Sequence, residues 1–167
     1  ITTADALALS DRDAVIIHDT AGHIKGLAIR SVFPNPGENY GRVGWSVTDR
    51  GEDSKEVFDS ATDYMFNGGT IVSLADGTTI LKDFECVDED QEDEEYDQWS
   101  DAGVAALEAL PVGTVLAIHF EGEKDEPFTV KSAENSWQMC GCGWSDDEKV
   151  TAKVFPGMVL VAATRAE

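Results

Sequence analysis

Apolar residues along this chain fall into short runs separated by glycine-containing and acidic turns, a pattern of brief strands and occasional helices. Ala14 to Ile17 is a continuous apolar run that stops at Thr20-Ala21-Gly22, and Ile24 to Arg30 returns from it. The arrangement then recurs twice. Thr70 to Leu74 leads into Asp76-Gly77, a type I′ turn signal, and Thr78 to Leu81 returns. Thr114 to Ile118 leads into Glu121-Gly122, and Phe128 to Lys131 returns. Met158 to Ala163 predicts a final strand without a hairpin.

Helix signals precede each of these strands. Asp53-Ser54-Lys55-Glu56 reads as a capping box, followed by an apolar stripe of Val57, Phe58, Ala61, Tyr64 and Met65. Asn67-Gly68-Gly69 supplies its left-handed stop. Ser100 caps an Ala/Leu-rich segment that ends before Pro111. Ser145-Asp146-Asp147-Glu148 reads as a second capping box with Val150 and Val154 behind it, and Thr3 to Leu9 predicts a short opening helix. The expected architecture is α+β and β-rich: three helix–strand–hairpin units plus a closing helix and strand, sharing one core.

Self-similarity supports repetition. Trp99-Ser100-Asp101 and Trp144-Ser145-Asp146 each precede a helical segment, a proline and a β-rich run, and a looser copy starts at Trp45-Ser46. The chain is expected to be a single compact domain over residues 1–167, with units of about 1–50, 51–99 and 100–167 and an acidic loop at 83–98. The run Leu110-Pro111-Val112-Gly113-Thr114-Val115-Leu116, with Gly122, Trp137 and Trp144, resembles the small β-rich modules of uncharacterised actinobacterial phage proteins. The resemblance covers the last third of the chain closely and the rest loosely, and the first unit lacks the Pro-x-Gly entry. It implies a phage accessory protein and brings no active-site residues with it.

Charge changes the picture most. The 167 residues include 33 acids against 12 Lys and Arg, a net charge of −21, while apolar residues at 42% suffice for a core. Such an excess argues against direct binding to nucleic acid or to anionic membranes, both of which require basic surfaces. No apolar run is long enough to span a bilayer, since Val154 to Ala163 is interrupted by Pro156 and Gly157. Ile1 is not an initiator, so the natural start is expected upstream. No signal peptide opens the chain, which places it in the host cytoplasm or on a virion as an expectation.

Ten acids lie between residues 83 and 97: Asp83, Glu85, Asp88, Glu89, Asp90, Glu92, Asp93, Glu94, Glu95 and Asp97. Halophilic adaptation would spread acids over the whole surface, so clustering favours a local purpose. The segment reads as a solvated loop, or as a surface that docks a basic partner by imitating the phosphates of a duplex. Calcium loops need a turn glycine, and none lies between Phe84 and Ser100.

Other chemistry is sparse. His18, His23 and His119 lack a nucleophile context, and no His-Glu-x-x-His or Gly-x-Ser-x-Gly motif occurs. Cys86, Cys140 and Cys142 lack zinc-module spacing and suit reduced thiols. The four tryptophans read as packing residues. Tyr40, in the loop Phe33 to Gly41, is a candidate partner contact. No catalytic residue, metal or cofactor is assigned. Partner-binding candidates are Asp88, Glu89, Asp90, Glu92, Asp93, Glu94, Glu95, Asp97 and Tyr40, and the partner expected is a basic host or virion protein. The alternatives are a structural virion or assembly component, and a small-ligand or enzymatic protein.

Overall fold

The computed structural model describes residues 1–33, 35–53, 70–81, 105–119 and 128–164. Two helices, α1 (Thr3–Leu7) and α2 (Asp147–Lys153), accompany nine strands. These are β1 (Ala14–His18), β2 (Ile24–Val32), β3 (Val43–Asp53), β4 (Thr70–Ser73), β5 (Thr79–Leu81), β6 (Val115–His119), β7 (Phe128–Ala133), β8 (Ser136–Ser145) and β9 (Val159–Ala163). A further helical turn spans 105–108. The strands form one antiparallel sheet in the order β5-β4-β6-β7-β8-β3-β2-β1-β9. The class is α+β and β-rich; α1 precedes the β1–β2 pair, the 105–108 turn precedes the β6–β7 pair and α2 precedes β9, whereas the helix expected before β4 falls, but for Asp53, outside the described residues.

The strand order is symmetric about the β3–β8 junction. β3 corresponds to β8, β2 to β7, β1 to β6 and β9 to β4, and β5 flanks β4 at one end of the described strands. Backbone hydrogen bonds repeat position for position. Arg12 N donates to Arg30 O and Gly113 N to Lys131 O, both at 2.8 Å. Arg30 N donates to Asp13 O and Lys131 N to Thr114 O, at 2.8 and 2.9 Å. Arg12 and Gly113 both adopt left-handed backbone, at φ 69° and 94°. A non-glycine residue there is strained by about 1–2 kcal/mol. Arg12 holds the conformation with its guanidinium 4.7 Å from the centre of the Phe128 ring, across the core.

The sheet folds on itself so that corresponding faces meet. Ala14, Ile16, Leu27 and Ile29 pack against Val115, Ala117, Phe128 and Val130, their counterparts in the other half. Small residues on one side correspond to large ones on the other (Ala14 to Val115, Ala117 to Ile16), which suits interdigitation. On the outer face Val15, Ile17, Ala28, Trp45 and Leu160 pack under Ala6 of α1, Val150 of α2 and Phe155. β1 is therefore covered on both sides, which explains its unbroken apolar sequence.

Two buried cations tie the helical segments to this sheet. Arg30, 6% exposed, lies 4.8 Å from the Trp45 ring centre and ion-pairs with Asp147 at the start of α2. It also donates to Leu7 O at the end of α1 at 3.1 Å, and Trp45 Nε1 donates to Asp147 Oδ1 at 3.0 Å. In the other half Lys131, 1% exposed, lies 5.9 Å from the Trp137 ring centre. Its ammonium donates to Leu107 O, Glu108 O and Leu110 O at 3.4, 2.7 and 2.8 Å. These are carbonyls left over at the end of a helical turn. Trp45 thus corresponds to Trp137, and the Trp-Ser alignment with Trp144 is corrected.

Several local expectations change. β3 and β8, the longest strands, carry no clear strand signal, and Asp53 ends β3 rather than simply opening a helix. The rest of that expected helix lies outside the described residues. α2 is capped by Asp146, one residue past Ser145, with its carboxylate accepting from Lys149 N at 2.8 Å. The β4–β5 connection is not type I′, because that turn needs two left-handed residues and only Gly77 has one, at φ 71°. Gly77 N instead donates to Ser73 O at 2.9 Å, closing a wider turn over residues 74–77. α1 ends at Leu7, with a capping box between Thr2 and Asp5.

Lys131→Met leaves three carbonyls without their donor, so it is expected to cost about 2–4 kcal/mol in urea unfolding. Arg30→Met is expected to cost less, about 1–2 kcal/mol, because Leu7 O loses its donor while Asp147 keeps Trp45 Nε1 and access to water.

Candidate functional site

The internal symmetry separates scaffold from additions. β7 and β8 are joined by two residues, Glu134 and Asn135, whereas the corresponding strands β2 and β3 are joined by residues 33–42. Loops held on a rigid scaffold are where binding residues concentrate. This one carries Tyr40, 65% exposed, above the exposed cross-strand pair Val32 and Val43.

The loop is anchored at its base. Phe33 N donates to Arg42 O at 2.9 Å, Gly41 N to Phe33 O at 3.2 Å, and Tyr40 N to Gly37 O at 3.1 Å. Arg42 also reaches the Asn39 side chain at 3.1 Å. The Phe33 ring meets Trp144 edge-on at 5.1 Å, and Trp144 Nε1 donates to Ser31 O at 3.4 Å. Trp144 lies against Gly44, where any Cβ would overlap its ring and the Ser145 carbonyl. Glycine is required there by close approach. Trp144 therefore supports the loop, while Trp45 and Trp137 are core residues and Trp99 lies outside the described residues.

The acidic candidates Asp88, Glu89, Asp90, Glu92, Asp93, Glu94, Glu95 and Asp97 also lie outside the described residues. In the sequence they fall between β5 and the helical turn at 105–108. Of the sequence-predicted partner contacts, Tyr40 is the one that lies within the described residues.

His18 and His119 end the corresponding strands β1 and β6 and pair with Val159 of β9 and Thr70 of β4. The two therefore hold equivalent register positions at the ends of their strands. His23 Nδ1 lies 3.3 Å from Asp19 Oδ2 at the β1–β2 turn, with Lys25 Nζ 3.5 Å from the same oxygen. Cys140 and Cys142 lie in β8, and Cys86 lies outside the described residues. Among the described residues no group of three or more His, Cys, Asp or Glu could hold a metal ion. No helix among them is long and apolar enough to cross a membrane. The important residues missed from sequence were Arg30 and Lys131, read as strand ends. A cation within an apolar strand was their only signal.

Three carboxylates are held below their ordinary value of 3.8, each chiefly by a backbone N–H: Asp5 by Thr2, Asp19 by His23 and Asp76 by Thr78. Each closes a turn or cap, so they are local fasteners. Comparison with family models, curated proteins and solved structures finds no match in any of the three.

Asp19 accepts from Ala21 N and His23 N, both at 2.9 Å. Its lowered folded value means that its stabilisation is complete above the ordinary carboxylate value and vanishes as pH falls through the folded one. Asp19→Asn is expected to lower the melting temperature at neutral pH, and the difference from the unaltered chain is expected to shrink as pH falls through the lowered folded value. Tyr40→Ala is expected to change stability by less than about 0.5 kcal/mol, because the ring is exposed and the loop is held by its backbone.

Proposed function

We propose that the chain is a non-enzymatic, phage-encoded interaction protein whose acidic surface binds a basic host or virion protein. One observation carries this reading. Ten of the 33 acids are concentrated in residues 83–97, between β5 and the helical turn at 105–108. A scaffold that needs charge only for solubility has no reason to gather a third of it there.

In its sharper form the segment acts as a mimic of duplex DNA. Successive carboxylates approximate the density of a phosphate backbone, and a basic cleft built for phosphates attracts them. Long-range attraction then speeds encounter and makes binding weaken with salt. The exposed Tyr40 loop is a second contact point, since tyrosine suits a binding anchor.

The test is capture of proteins from host lysate at low and high salt, alongside a variant carrying Asn or Gln at Asp88, Glu89, Asp90, Glu92, Asp93, Glu94, Glu95 and Asp97. The expected result is a basic, DNA-binding protein retained at low salt, released at high salt and by competing duplex DNA, and lost with the variant. Retention of no basic protein at low salt, or equal retention by the variant, would sink the proposal. Firm co-purification with virus particles would favour a structural role in the virion.

A further inference from the structure

Arg30 and Trp45 pair across β2 and β3, and two residues further on Val32 pairs with Val43. The period of two in a strand places all four on the same face. The first pair is met by both helices, since Arg30 donates to Leu7 O and ion-pairs with Asp147. The second pair is exposed, Val32 by 41% and Val43 by 45%. The hairpin then continues into the loop that carries the exposed Tyr40, held by bonds from Phe33 N to Arg42 O and from Gly41 N to Phe33 O. Two valines and a tyrosine thus face solvent at one end of one hairpin.

The charges around these three residues are mostly negative. Asp147, 43% exposed, stands at the start of α2 with the exposed Glu148 beside it. The exposed Asp11 immediately precedes Arg12, whose N–H donates to Arg30 O, and the exposed Glu38 lies in the Tyr40 loop. Of the cations at this end, Arg30 is paired with Asp147, Arg12 lies against the Phe128 ring and Arg42 bonds to Asn39. Lys149 of α2 is exposed but stands among these acids. An apolar patch with such a rim complements a basic ligand and repels an acidic one.

We infer that this patch docks an arginine-bearing segment of the partner, an inference that rests on the reading of that partner as basic. The guanidinium stacks on the Tyr40 ring within reach of the acidic rim, and its methylene stem covers Val32 and Val43. Arginine is the matched side chain rather than lysine. A planar, weakly hydrated guanidinium stacks on an aromatic face, whereas a compact ammonium holds its water. The patch therefore supplies what a run of carboxylates does not. Carboxylates attract any cation, while an aromatic ring beside an apolar pair distinguishes one cation from another.

Two synthetic peptides of equal length and charge, one alternating Arg and Ala and one alternating Lys and Ala, test the inference by NMR titration of the full chain. The arginine peptide is expected to shift the Val32 and Val43 methyl signals and the Tyr40 ring signals to saturation, and to bind about threefold more tightly than the lysine peptide. Tyr40→Ala is expected to remove that preference and Tyr40→Phe to keep it. The variant neutralised between Asp88 and Asp97 is expected to retain both the shifts and the preference. Its overall affinity for the peptides reports on the acidic run, so the two readings fail separately. The inference is overturned by an arginine peptide that leaves Val32, Val43 and Tyr40 unshifted, or by equal affinity for the two peptides. A preference that survives Tyr40→Ala, or that disappears in the neutralised variant, overturns it as well.

Discussion

Burying a cation costs several kcal/mol unless its charge and its hydrogen bonds are met, and this fold does so at two corresponding places. Arg30 and Lys131 each extend from the second strand of a half, beneath a tryptophan of the third strand. Each meets the carbonyl end of the helical segment that precedes its half. These contacts fix how helix and sheet meet. α1, of five residues, is too short to be stable alone, so its position depends on the sheet and on the cation that receives its carbonyl. Arg30 does more than Lys131 among the described contacts, since its fork also holds Asp147 and hence the start of α2. A planar guanidinium can serve two helices at once, where an ammonium gathers the carbonyls of one.

The same symmetry makes the halves interdependent. Each half contributes its last strand to the other: β4 pairs with β6 of the second half, and β9 with β1 of the first. The long β3–β8 ladder joins them in the middle. The inner core needs both faces, because Leu27 and Ile29 of one half pack with Phe128 and Val130 of the other. Neither half contains its own complete sheet or core, so the chain has the organisation of one cooperative unit.

The short strands were legible because their burial is uniform and their turns are marked. Ala14 to Ile17 reads as a strand since both of its faces are covered, and the turns after it carry glycine. β3 and β8 were not, for a physical reason. Trp45, Trp137 and Trp144 are separated by Gly, Ser, Gln and Asp, so apolar alternation is absent. Their pairing is also interrupted by register shifts between Ser46 and Arg50, which breaks any strict period of two. Arg30 and Lys131 were illegible as core residues because a charge in a strand reads as its exposed end. Only the fold reveals the carbonyls waiting for them. Of the candidate site, Tyr40 was legible as an exposed loop residue, while the convergence of Phe33, Gly44 and Trp144 beneath it depends on the β3–β8 pairing.

Symmetry gives a way to ask which parts of the chain need a reason beyond folding. A residue with a working counterpart is explained by the scaffold, as His18 is by His119. Among the described residues the 33–42 loop has no equivalent, since only two residues join the corresponding strands β7 and β8. The loop is anchored at its base yet offers its aromatic ring to solvent, a combination that adds little to stability. A segment that a scaffold holds firmly without drawing stability from it is one for which folding alone supplies no reason.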